Sequence, residues 1–140
     1  MRLTRRSTFI LCAGAAAGAG LGFGSASASA LADEIERFTG GSDVTTGLVS
    51  LTAPEIAENG NTVPIRIAAP GALAVAVFAE GNPLLRVATF RFGALNPKGV
   101  ASTRIRLAKT QNVIAIAEMA DGTFRQASAF VKVTVGGCGG

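Results

Sequence analysis

The chain of 140 residues has no histidine, no tryptophan and no tyrosine, and only two cysteines. Without histidine, no Ser–His or Cys–His nucleophile–base pair can form, and most zinc sites lose a common ligand. Acids are absent from residues 1–32. They are also absent from residues 81–117, which hold Arg86, Arg91, Lys98, Arg104, Arg106 and Lys109. The acids that remain are scattered: Asp33, Glu34 and Glu36 lie near the start of the body, Glu118 and Asp121 far from them. They suit solvated faces and turns. No glycine-rich phosphate loop leads into a helix. These gaps argue against self-contained catalysis, and the chain is read as a non-enzyme with no catalytic residue, no metal and no cofactor.

The acid-free start has its own pattern. Arg2, Arg5 and Arg6 precede an apolar run from Phe9 to Phe23, followed by the small residues Ser25 to Ala32. A basic start, an apolar middle and an Ala-x-Ala end describe a secretory signal peptide, so residues 1–32 are expected to be removed. Cleavage after Ala28, Ala30 or Ala32 fits equally. The apolar run is shorter than the roughly twenty residues a spanning helix needs, so no retained membrane anchor is expected. Thr4-Arg5-Arg6-Ser7-Thr8-Phe9-Ile10 looks like a twin-arginine signal, with Phe9 one place later than usual; a general secretory signal is the alternative. Without Arg2, Arg5 and Arg6, the 13 basic residues fall to 10 against 9 acids, net +1. The excess positive charge belongs to the leader, and nothing in it argues for nucleic-acid binding.

Cysteine counting follows from the leader. Cys12 leaves with it, and only Ser7 to Leu11 separate it from the arginines, too little for a lipoprotein signal. The exported body keeps one thiol, Cys138. An unpaired thiol in an oxidising compartment pairs between molecules or reacts.

The body begins with a short helix: Leu31, Ile35 and Phe38 recur at helical spacing and stop before Gly40-Gly41. Strands and turns follow. Gly47 to Thr52 reads as a short strand, Glu58-Asn59-Gly60-Asn61 as a turn, and Val63, Ile65 and Ile67 as an alternating strand. Pro64 places that strand at an edge or at a bulge. Leu73, Val75 and Val77 form the next strand, up to the turn Glu80-Gly81-Asn82-Pro83. Leu84 to Phe92 follows with Ala88, Phe90 and Phe92 inward. After a loop over residues 93–99, Ala101, Thr103, Ile105 and Leu107 share one face, with Ser102, Arg104 and Arg106 on the other. Asn112 to Ala120 reads as a central strand, Asp121-Gly122 as a type I′ hairpin turn, and Thr123 to Val135 as a long last strand. About seven strands at roughly ten-residue spacing, with no later amphipathic helix, predict an all-β, immunoglobulin-like antiparallel sandwich over residues 33–135. The core Trp, corner Tyr and intersheet disulfide of immunoglobulin domains are absent.

The chain ends Val135-Gly136-Gly137-Cys138-Gly139-Gly140. One side chain among five residues gives packing nothing to hold, so residues 136–140 are expected to form a flexible tail. At about 3.3–3.6 Å per extended residue, Cys138 swings about 10 Å beyond the last strand. No base or cation neighbours it in sequence to activate the thiol. That suits a thiol handed from one enzyme to another, each supplying its own activation. The alternatives are a secreted structural module dimerised by a disulfide through Cys138, and a ubiquitin-like sulfur carrier ending in Gly139-Gly140. The latter conflicts with a signal peptide and with the lack of a mid-chain helix. The basic residues between 86 and 109 form either an ordinary solvated face or a docking surface for partner enzymes.

The terminal Gly136-Gly137-Cys138-Gly139-Gly140 resembles the substrate-carrying motif of the SoxY family, the sulfur-carrier subunit of periplasmic thiosulfate oxidation. Ala53 to Pro64, Ser102 to Ala108 and Val113 to Gly122 are similar to that family too. The resemblance implies a covalent carrier in the periplasm, with Cys138 the attachment point and Gly136, Gly137, Gly139 and Gly140 the arm. It implies a heterodimer with a small β-sandwich partner, SoxZ. A c-type cytochrome enzyme, SoxXA, would join thiosulfate to the cysteine, SoxB would release sulfate, and in some organisms SoxCD would oxidise the sulfur left behind.

Overall fold

Between Val63 and Ala68 every second side chain turns inward: Val63, Ile65 and Ile67 are buried, Pro64 and Arg66 exposed. In the computed structural model, which describes residues 25–136, this pattern belongs to one of nine strands. The elements are α1 (Ser25–Thr39), β1 (Val44–Thr46), β2 (Ser50–Thr52), β3 (Ile56–Ala57), β4 (Val63–Ala68), β5 (Ala72–Ala79), β6 (Arg86–Arg91), β7 (Val100–Ile105), β8 (Gln111–Met119) and β9 (Phe124–Val133). The larger sheet runs β1-β9-β8-β5-β6, with β3 also on β9; the smaller runs β2-β4-β7. Residues 1–24 of the expected signal peptide, with Cys12, lie outside the described residues.

Two apolar layers hold the molecule together. Between the sheets, Val63, Ile65, Ile67, Val75, Val77, Leu107, Val113 and Val131 are buried. Each such side chain contributes roughly 1.5–3 kcal/mol relative to an exposed one. The second layer lies on the other face of the larger sheet, where α1 sets Leu31, Ile35 and Phe38 over Ala76, Phe78, Ile116 and Phe124. Phe38 meets Phe78 and Phe124 edge-on, with centroids 6.4 and 5.9 Å apart, the arrangement that ring quadrupoles favour. Strand β5 therefore reads as a nearly continuous apolar run, because both of its faces are covered.

The sandwich expected from the periodicity is present, with differences that have local causes. The helix reaches back to Ser25 because Ser25 to Ala30 alternates Ser with Ala, a strong helix former, and Leu31 and Ala32 continue it. Its contact with the sheet starts at Leu31. The strand expected over Gly47 to Thr52 is shortened to Ser50–Thr52: Gly47 and Leu48 take positive φ of 118° and 61° and turn the chain out of the larger sheet into the smaller. The short strands β1 and β3 raise the count to nine, and both run parallel to β9. Pro64 does not place β4 at an edge or a bulge, because β4 is the middle strand of its sheet. Its pairing with β2 covers only Arg66 to Ala68, so Pro64 sits on the stretch where β7 is the single neighbour. The Asp121-Gly122 hairpin is not a two-residue type I′ loop. Only Gly122 has positive φ (83°), its N–H donates to Met119 O at 3.0 Å, and Met119 N–H donates to Thr123 O at 2.8 Å. This is a three-residue loop with glycine at the left-handed bulge position.

Candidate functional site

The site begins where β9 runs out. Val131 is buried, Val133 half-buried, and Thr134, Val135 and Gly136 are exposed. The strand is gripped on both sides as it leaves. On one side Lys132 N–H donates to Glu55 O at 2.9 Å, Thr134 N–H to Ala57 O at 3.0 Å, and the Thr134 hydroxyl to Glu58 O at 3.1 Å. On the other, Val133 N–H donates to the Thr110 hydroxyl at 3.0 Å.

Two glycines complete the root. Gly60 is buried in the turn after β3. Its N–H donates to Val135 O at 2.8 Å, and its own carbonyl accepts from Leu107 N–H at 2.7 Å, tying the tail to the chain after β7. At Gly136 a Cβ would stand 2.4 Å from Ala108 O, a distance no side chain tolerates without backbone movement. Gly136 is thus a contact point rather than a free link.

The floor under Gly136 is itself braced. Asn82 Oδ1 accepts from Ala108 N–H and from Gln111 Nε2, both at 2.9 Å, while Asn82 Nδ2 donates to Arg106 O at 2.7 Å. Gln111, only 4% exposed, also donates to Lys109 O at 2.9 Å and accepts from Gly81 N–H at 2.8 Å through Oε1. Buried amides in a satisfied network of this kind hold a loop in one arrangement. Neither residue stood out in the sequence as part of the site. The signal for Gln111 was available, since it is a polar residue at an inward position of a nearly apolar strand.

Of the expected site residues, Gly136 is described; Gly137, Cys138, Gly139 and Gly140 lie outside the described residues. Among the described residues no three His, Cys, Asp or Glu side chains gather into a metal-ligating group, and no helix is long and apolar enough to cross a membrane.

The fold spreads the basic run over residues 86–109 across two sheets, with Arg86, Arg104 and Arg106 around one hollow where the sheets adjoin. Arg86 reaches Glu34 of α1 at 3.5 Å, and Arg91 pairs in register with Ala74 on the same helix-bearing face. Arg104 and Arg106 point away from the core on the outer face of the smaller sheet. There Arg66, which is outside the run, joins them: it pairs with Ser102, and Pro64 pairs with Arg104. The two ion pairs among the described residues, Arg37–Glu34 and Arg86–Glu34, use none of these three arginines.

The sulfur oxidation protein SoxY family matches residues 35–138. The chain belongs to the SoxY family. No curated protein matches it. Among solved structures, the sulfur carrier protein SoxY from Chlorobium limicola f thiosulfatophilum is 35% identical, with a TM-score of 0.68, covering 77% of this chain and 99% of that one. The superoxide reductase (neelaredoxin) from Ignicoccus hospitalis aligns at 17% identity and a TM-score of 0.54, covering 63% of this chain and 81% of that one. That likeness concerns the fold alone. The SoxY match takes in the last turns of α1, both sheets and the tail root, and it ends on Cys138.

Proposed function

We propose that this SoxY-family chain is a non-catalytic, covalent carrier of sulfur intermediates in thiosulfate oxidation. Cys138 is the attachment point, and the terminal glycines are the arm. The observation that carries this reading is the tail root: β9 delivers the chain to Gly136 on a hydrogen-bonded floor, and in the sequence a thiol flanked by glycines follows directly. Identity of 35% with a protein described as a sulfur carrier supports the same role here. From Gly136 to Cys138 the extended backbone spans at most about 7 Å, enough to carry the thiol off the surface and into an enzyme pocket.

The chemistry balances without a base on the carrier. Oxidative coupling joins the Cys138 sulfur to the terminal sulfur of thiosulfate. It releases the thiol proton and passes two electrons to a cytochrome-bearing enzyme of the SoxXA type. Hydrolysis by a SoxB-type enzyme then breaks the bond between the outer sulfur and the sulfonate group. Water supplies the oxygen of the departing sulfate, and a persulfide stays on Cys138. A SoxCD-type enzyme, where one exists, oxidises that sulfur further. The leader over residues 1–32 sends the chain to the periplasm by the twin-arginine route, residues 33–135 form the sandwich, and a SoxZ-like subunit completes a heterodimer.

Intact-mass analysis tests the reading. Protein incubated with thiosulfate and the SoxXA-type enzyme gains one thiosulfate unit, and Cys138→Ser gains none. Full thiosulfate-dependent turnover in Cys138→Ser would remove the carrier role.

A further inference from the structure

Three arginines on the outer face of the smaller sheet have no acidic partner among the described residues. In register, Arg66 lies diagonal to Arg104, and Arg106 continues the same side of β7. Diagonal positions on one face stand roughly 7–8 Å apart, close enough for like charges to repel. Arg66 and Arg104 flank a shallow hollow of about 630 Å³ lined also by Thr52, Pro54, Pro64 and Ser102, and Arg104 and Arg106 line a neighbouring hollow of about 410 Å³ with Leu84 and Arg86. Among the described residues no element covers this face, whereas α1 covers the corresponding outer face of the larger sheet.

Position gives the face its meaning. Arg106 is two residues before Ala108, the residue whose carbonyl meets Gly136. At no more than about 3.6 Å per residue, the backbone of Arg106 lies within some 7 Å of Ala108 and that of Arg104 within about 14 Å. Any enzyme that receives Cys138 must come down within the reach of a short arm, so this is among the first surfaces it meets. The acids on the tail side, Glu55 and Glu58, lie across the root beside β3 and β9. Lasting subunit contacts are apolar at their centre, whereas transient encounters use charge to steer and orient. Three arginines unpaired among the described residues, with Thr52 and Ser102 beside them, supply the steering charge of the second kind, while Ala53, Pro54 and Pro64 add a small apolar surface to the hollow.

The geometry points to Arg66, Arg104 and Arg106 as the docking surface for a partner protein with carboxylates beside its active-site mouth: the enzyme that works on the arm. The inference rests on the carrier reading above. It assigns the basic run two fates, with Arg104 and Arg106 engaged in docking and Arg91 and Lys98 not.

The test uses the exported chain with its SoxZ-like subunit, loaded with thiosulfate on Cys138. A SoxB-type hydrolase releases sulfate, and kcat and KM are read across a salt series. The variant is Arg66→Glu/Arg104→Glu/Arg106→Glu; the control is Arg91→Glu/Lys98→Glu. At low salt the triple variant is expected to lose about tenfold or more in kcat/KM, through KM with kcat held, and to converge on wild type as salt screens the charges. The control stays at the wild-type value. Should the triple variant not fold, single Arg→Gln variants are expected to show the same KM-borne loss in smaller steps. Wild-type kcat/KM in the triple variant at every salt concentration overturns the inference. So does loss of the heterodimer on size exclusion, which would give the face to the permanent subunit. A fall in kcat with KM unmoved also overturns it, because the arginines would then act on the cargo. Failure of the carrier reading is distinct: wild-type protein itself would release no Cys138-dependent sulfate.

Discussion

At the scale of single residues, two backbone positions carry more consequence than their side chains suggest. A methyl group at Gly136 collides with Ala108 O, so Gly136→Ala must push the floor away or redirect the tail. Overpacking of this sort costs about 1–3 kcal/mol where the surroundings are rigid and less where a chain end can swing aside. Gly136→Ala is therefore expected to melt within a few degrees of wild type and to react normally with iodoacetamide at Cys138, while thiosulfate-dependent turnover falls. Unchanged turnover would mean that the launch direction of the arm is unimportant. Leu48 is the opposite case: a leucine 67% exposed at φ 61°, where its side chain gains little and its Cβ is strained. Asparagine tolerates that conformation. Leu48→Asn should raise stability by about 1 kcal/mol in urea melts, the low end of the scale for a side chain held in that region; destabilisation would show that Leu48 packs in a way its exposure hides.

Among elements, the loops at the tail end are stiffer than loop composition suggests. Asn82 and Gln111 cross-link the β5–β6 turn to the stretch from Arg106 to the start of β8 through four hydrogen bonds, and a fifth ties Gln111 to Lys109. Gln111→Ala leaves Gly81 N–H without its acceptor and Asn82 Oδ1 with one donor fewer, so it is expected to cost about 2–3 kcal/mol in denaturant unfolding. A loss below half that would mean water replaces the amide. The β8–β9 hairpin at the far end is held differently. The Thr123 hydroxyl, and after it the Thr123 backbone N–H, donate to Asp121 and keep its carboxyl below the ordinary 3.8. A depressed carboxyl stabilises the fold above its unfolded pKa, and that contribution is lost as pH falls through the folded value. Thr123→Val removes the larger cause, and the Asp121 midpoint followed by NMR should rise; a midpoint that stays put would assign the shift elsewhere.

For the whole molecule, two sheets and a helix bring both ends of the described chain onto one body and leave one arginine face bare. Mixed with a SoxZ-like protein, the exported chain is expected to elute from size exclusion as a one-to-one complex; a well-behaved monomer would count against the heterodimer. The sequence alone determined what is local or compositional. Missing histidine bars the common nucleophile–base pairs, and period-two alternation at Val63 to Ile67 and Ala101 to Leu107 says which side chains turn inward. Glycines on both sides of Cys138 leave the thiol without a neighbouring side chain in the sequence. Alternation reports in or out along a strand, but not which strand lies beside it, because pairing is settled between residues far apart in the chain. Hence Pro64 suggested an edge, although β2 and β7 flank its strand. For the same reason the run of cations between Arg86 and Lys109 does not lie on one sheet: β6 and β7 are edge strands of different sheets, and Arg86 comes beside Arg104 and Arg106 only through their tertiary placement. Arg66 joins Arg104 only through the β4–β7 register, and Gly136 meets Ala108 only once β9 lies beside β8. Tertiary structure decided those neighbours, since each is a contact between distant segments that no local pattern encodes.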